Sequence, residues 1–109
     1  FDLAPFGIIG VETLLPISLQ LYFKKFINLI DLTKKMTLNP AKILKLKAGI
    51  LKENYPADIT IVDLKKTKTI KKFVSKSSNS PFINWKLKGF PVYTIVNGKI
   101  LVENGKLLV

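Results

Sequence analysis

PVYTIVNGKILVENGKLLV, residues 91–109, carries two Asn-Gly pairs, Asn97-Gly98 and Asn104-Gly105, each bracketed by apolar and β-branched residues. Both residue types tolerate positive φ, so an Asn-Gly pair closes a hairpin whose turn matches the right-handed twist of its strands. Three strands in a meander are therefore expected to close the chain. Upstream, ADITIVDL (57–64) alternates Ile59, Ile61 and Leu64 with polar or smaller residues, as a half-buried strand does. Asp58 and Asp63 flank that strand and are expected to brace turns. Between the strand regions, SKSSNSPFINWKLKG (75–89) mixes Ser, Asn and Pro with the single tryptophan. It reads as an irregular connector over about residues 73–89, with Trp85 as a packing anchor.

The first half has the helical period instead. VETLLPISLQLYFKKF (11–26) is apolar on nearly all sides, which predicts a helix buried among neighbours. Thr13 is its expected N-cap, and Pro16 falls in the first turn, where a missing N–H is harmless. NLIDLTKKM (28–36) offers Asn28 as cap, Asp31 three residues on and lysines in the last turn, favoured there by the helix dipole. NPAKILKL (39–46) predicts a third helix, with Asn39 as cap and Pro40 at its first position. The glycine-hinged stretch DLAPFGIIGVET (2–13) precedes them all. Gly7 and Gly10 would let the backbone approach a flat ligand closely, or simply permit a tight turn into the helix. Glu12 is expected to accept from backbone N–H groups near the helix start.

Composition limits the chemistry. The chain has 109 residues, 48% of them hydrophobic, with no histidine and no cysteine. Its mean hydropathy is +0.27, high for so short a chain, and no apolar run is long enough to span a bilayer. No membrane association is expected, and the lack of cysteine fits a cytoplasmic location. Neither a Ser/His/Asp triad nor a thiolate metal site can be built. The net charge is +11, yet all eighteen basic residues are lysine. They are scattered, with short clusters such as KKTKTIKK (65–72). Arginine, whose fork suits phosphates and guanine, is absent, so no nucleic-acid partner is expected.

The segments APFGIIGVETLLP, NPAKIL, ADITIVDL, SKSSNSPF and TIVNGK occur in that order from about Asp2 to Gly105. Together they resemble the C-terminal end of bacterial zinc-dependent dihydroorotases, members of the amidohydrolase superfamily. The pairing of APFGIIGVET with SKSSNSPF is the specific part of the resemblance. It implies an α+β piece of a larger fold: residues 1–47 as the last helices of a (β/α)8 TIM-type barrel, and residues 48–109 as the C-terminal β module of a small composite β-sandwich. It implies a parent enzyme that interconverts N-carbamoyl-L-aspartate and (S)-dihydroorotate in pyrimidine synthesis. The zinc ligands of such enzymes lie upstream of these motifs, so no catalytic residue and no metal ligand is expected here, and the chain alone should be inactive. By residue match, Phe6 and Gly7 close over the substrate. Implied partners are carbamoyl aspartate or dihydroorotate, the N-terminal part of the enzyme, and a homodimer mate or aspartate transcarbamoylase. A non-catalytic dihydroorotase-like interaction subunit and a hydantoinase or allantoinase parent remain alternatives. Lys76 and Asn79 fall in a segment that the resemblance makes a structural loop. Asn54 and Asn84 stand where relatives commonly carry glycine, and both are expected in left-handed backbone.

Overall fold

In the computed structural model, which describes Leu3 and residues 7–108, both Asn-Gly pairs form turns with two positive φ angles each. These are 48° and 78° at Asn97 and Gly98, and 51° and 76° at Asn104 and Gly105. They join β2 (Lys86–Val96), β3 (Lys99–Glu103) and β4 (Lys106–Leu107), the expected meander. With β1 (Ile59–Thr69) the strands form one antiparallel sheet in the order β1-β2-β3-β4. Three helices precede it: α1 (Leu14–Phe23), α2 (Leu29–Met36) and α3 (Leu38–Ile43). The chain is α+β. Among the described residues no helix is long and apolar enough to cross a membrane.

Strand pairing extends further than the sequence pattern suggests. β1 runs on to Thr69, and β2 begins at Lys86, inside the expected connector, because Thr67, Lys68 and Thr69 pair with Lys88, Leu87 and Lys86. Lysines and threonines tolerate an exposed strand there although they carry no alternating apolar signal. Ile61 is 48% exposed, contrary to its expected inward position. The register shifts between Ile61 and Val62 because β2 carries the extra residue Val92. β1 keeps its alternation, so Val62 and Leu64 lie with Thr60 on the face turned to α1 and α2, opposite Ile61. Pro91 of β2 lies at this irregularity, where a missing N–H spoils no regular ladder. A second shift follows Asp63, whose Oδ1 accepts from the N–H of Lys65 at 2.8 Å and of Lys66 at 3.2 Å. Asp63 thus braces a bulge within the strand rather than its end. Asp58 behaves as expected: its Oδ1 accepts from Asn97 N–H at 2.8 Å and steadies the first Asn-Gly turn.

The helices begin close to their expected residues, but two caps differ. Thr13 takes the N-cap position without capping; its hydroxyl donates back to the Gly10 carbonyl at 3.3 Å. Asn28 caps α2 as expected, its Oδ1 accepting from Asp31 N–H at 2.9 Å while its Nδ2 donates to the Asp31 carboxylate at 2.7 Å. Thr37, not Asn39, holds the N-cap position of α3, because the chain leaves α2 and enters α3 through that single residue. Pro40 still falls in the first turn, where its lack of N–H is harmless. Only Pro16 and Leu19 of α1 are buried; Leu14 and Leu21 are exposed. The apolar surround expected for this helix is thus open among the described residues.

α1 lies on β2 through Leu19, which is 2% exposed and seats on Gly89. The backbone there has φ +90°, which favours glycine, and a Cβ would stand 2.5 Å from Leu19 Cδ1 and force that buried side chain to shift. Gln20 Nε2 reinforces the contact by donating to Lys88 O at 3.2 Å. Beneath them Ile70, Leu87 and Phe90 form a small core with Ile17 and Phe73 against it. α2 and α3 bury only Leu32 and Ala41.

Candidate functional site

Phe6 lies outside the described residues, so the candidate loop is seen from Gly7 onward. Gly7 is exposed with φ +70°, a backbone conformation that favours glycine. A Cβ at Gly7 or Gly10 would meet no atom within 4 Å. Gly10 has no positive φ either, so nothing among the described residues demands glycine at that position. Its carbonyl closes the turn into α1 by accepting from Leu14 N–H at 2.8 Å and Thr13 N–H at 3.1 Å. The loop faces open space.

Two polar ties hold this loop to the segment between β1 and β2. Ile9 N–H donates to the Asn79 carbonyl at 2.9 Å, and Asn79 Nδ2 donates back to the Gly7 carbonyl at 2.6 Å. Glu12 accepts from Val74 N–H at 3.0 and 3.1 Å through its two oxygens, and from Ser75 N–H at 2.9 Å. The expectation for Glu12 is met in chemistry and missed in place. It binds backbone N–H groups, but those of a distant segment rather than its own helix. Two successive N–H groups aimed at one point form an anion-binding concavity, and here the anion is the chain's own. Nothing local in the sequence signals partners that lie more than sixty residues away.

The remaining candidates have structural surroundings. Asn79 spends its side-chain donor on Gly7, in keeping with a structural loop. Lys76 is exposed. Trp85 is 52% exposed and meets Phe82 edge-on at 5.3 Å, so it is a surface contact rather than a buried anchor. Asn54 and Asn84 have φ of 62° and 68°, the left-handed backbone expected of them.

Two hollows flank the sheet. One, about 430 Å³, lies among α1, α2 and β1 and is lined by Leu15, Leu19, Leu32, Met36, Val62 and Leu64 among others, with no ionisable group. The other, about 480 Å³, is bordered by Glu12, Lys68, Ser75, Phe90 and Gly105. Among the described residues no three His, Cys, Asp or Glu side chains converge where they could hold a metal ion. What the site offers is a glycine loop on polar fastenings, presenting backbone.

The chain is similar to known proteins over most of its length. The dihydroorotase of Ehrlichia canis (strain Jake) is 52% identical over 100 residues, covering 90% of this chain and 22% of the relative. That of Endomicrobium trichonymphae is 53% identical over 105 residues, covering 93% of this chain and 25% of the relative. The chain thus spans about a quarter of the length of these curated relatives. Among solved structures, the L-hydantoinase (dihydropyrimidinase) from Arthrobacter aurescens superposes with a TM-score of 0.88 at 33% identity, over 97% of this chain and 25% of that one. A D-hydantoinase structure also gives 0.88, at 25% identity, over 95% of this chain and 24% of its own. The pattern of the Amidohydrolase family matches residues 9–101, from just past the candidate glycine into β3, and the chain belongs to the amidohydrolase family.

Proposed function

We propose that this chain is the C-terminal portion of a dihydroorotase, the hydrolase that reversibly cyclises N-carbamoyl-L-aspartate to (S)-dihydroorotate. The observation that carries this reading is the identity of 52–53% to dihydroorotases over at least nine-tenths of the chain, against 25–33% to the hydantoinases. In this reading residues 1–47 supply the last helices of a (β/α)8 barrel, and residues 48–109 the C-terminal part of a small β-sandwich. The loop into α1 then lies at the rim where barrel active sites gather. Phe6 and Gly7 close over the substrate from that rim through backbone groups.

The metal implied by the family would be zinc in the whole enzyme. The residues of this chain do not fit it: the sequence has no histidine or cysteine, and no carboxylate cluster forms among the described residues. No catalytic step is assigned to these residues. Their part is to bind and to exclude water, and the chain alone is expected to turn over nothing. Its partners are the N-terminal part of the enzyme and the small-molecule substrate, with a homodimer mate or aspartate transcarbamoylase as further contacts.

The hydantoinase superpositions favour a second reading, a portion of another cyclic amidohydrolase. Grafting separates the two. This chain replaces the matching stretch of the Ehrlichia canis dihydroorotase and, in parallel, of the Arthrobacter aurescens L-hydantoinase. Recovery of dihydroorotate turnover in the first graft, with the second inactive on hydantoins, is the expected result. The reverse pattern sinks the dihydroorotase assignment.

A further inference from the structure

We infer that Glu12 and Asn79 are positioning residues, a two-point latch that fixes the Gly7 loop in its ligand-receiving pose by tying it to residues 74–79. The inference rests on the proposed role of Gly7 in substrate binding. It adds two side chains that need never touch substrate.

The geometry separates this latch from general stabilisation. Asn79 grips the loop on both sides of Ile8: its carbonyl accepts from Ile9 N–H, and its amide donates to the Gly7 carbonyl at 2.6 Å. Lacking a Cβ, Gly7 has other backbone conformations open to it, and the bond to its carbonyl selects the one with φ +70°. Glu12 grips the other strand of the contact, accepting all three of its bonds from Val74 and Ser75. An ionised acceptor makes such bonds stronger than neutral pairs. Neither gripping side chain is itself part of the core. Val74 is 75% exposed, Glu12 and Asn79 are exposed, and the buried cluster of Ile70, Leu87 and Phe90 is built by other residues. Ordering an exposed loop is worth most where a backbone group must meet a ligand within a fraction of an ångström.

Two isosteric changes and one truncation test the latch. Asn79→Asp turns the donor facing Gly7 O into a second acceptor, and Glu12→Ala removes every acceptor from Val74 and Ser75. Glu12→Gln keeps one oxygen and should fall between Glu12→Ala and the unaltered chain. In the 109-residue chain, amide exchange at Ile9 should quicken about tenfold in Asn79→Asp, and at Val74 and Ser75 in Glu12→Ala, while Leu87 and Phe90 amides keep their rates. Unchanged exchange at the loop amides, or equal quickening in the core, overturns the latch whatever the enzyme does. In the dihydroorotase graft, KM for dihydroorotate should rise about ten- to a hundredfold with kcat changed less than about threefold. A graft that works normally with a loosened loop overturns the positioning role and leaves the functional assignment intact. An unaltered graft that never turns over dihydroorotate overturns the assignment, and the positioning role with it, while the exchange rates still judge the latch as structure.

Discussion

At the scale of single residues, the sharpest dependence is on Gly89. Its φ of +90° disfavours any side chain, and a Cβ would collide with Leu19 Cδ1. Gly89→Ala should therefore destabilise the chain by about 2–4 kcal/mol, read as a shift of the denaturation midpoint. Leu19→Ala alone should remove about 2–5 kcal/mol by leaving a cavity. Because the two residues touch, their effects should not add. In the double variant the truncated Leu19 makes room for the new methyl, so the combined loss should fall short of the sum by about 1 kcal/mol or more. Full additivity would mean that α1 does not seat on β2 in solution. None of this was visible in the sequence, where Gly89 reads as the end of an irregular connector. A glycine required by a contact seventy residues away looks the same as one required by a turn. Asn97 and Asn104 were legible because their reason is local: each needs only its own φ and the glycine beside it.

Elements were legible where their ends carry local chemistry. Asn28 and Asp31 mark the start of α2 three residues apart, and the structure forms the predicted cap, with the Asp31 carboxylate accepting from the Asn28 side-chain amide instead of its backbone N–H. Asn28→Ala should cost about 1 kcal/mol, seen as lost helical circular dichroism and faster exchange over residues 29–36. An unchanged α2 would show that packing through Leu32, not the cap, holds the helix. α3 was displaced because Asn39-Pro40 mimics a helix start inside a turn that Thr37 already begins. β1 runs beyond its apolar pattern because Thr67, Lys68 and Thr69 pair with β2 through backbone while their side chains are exposed. Pattern reports burial, and strand bonding without burial leaves no pattern. The same limit explains Glu12 and Asn79. Their residue types were legible as candidates for polar contacts, but the tertiary contact that brings residues 9–12 against 74–79 is set by how α1 lies on the sheet. Phe6 and Gly7 rest on motif resemblance, which reaches beyond any local physical signal.

On the scale of the whole molecule, apolar surface is left uncovered. Among the described residues twenty large apolar side chains are exposed and only six apolar residues besides Pro16 are buried, so the layers do not close on each other. The radius of gyration is 15.3 Å, against about 13 Å for a closed domain of this length. The apolar hollow of about 430 Å³ opens beside the edge strand β1, so an unpaired strand edge and an unpaired face occur together. Edges of this kind seek partners; the lysines at 65, 66 and 68 shield only the C-terminal half of β1, leaving Ile59–Leu64 open. The chain on its own should therefore associate, and salt should reveal why. A net charge of +11 with one ion pair among the described residues repels like copies at long range. Screening that repulsion while apolar faces attract should raise the apparent mass in sizing chromatography between about 0.05 and 0.5 M salt. Association through lysines on a bound polyanion would do the opposite and fall apart as salt rises. A sharp monomer peak at every salt concentration would mean that these faces need no cover, and would count against the larger assembly that the dihydroorotase reading requires.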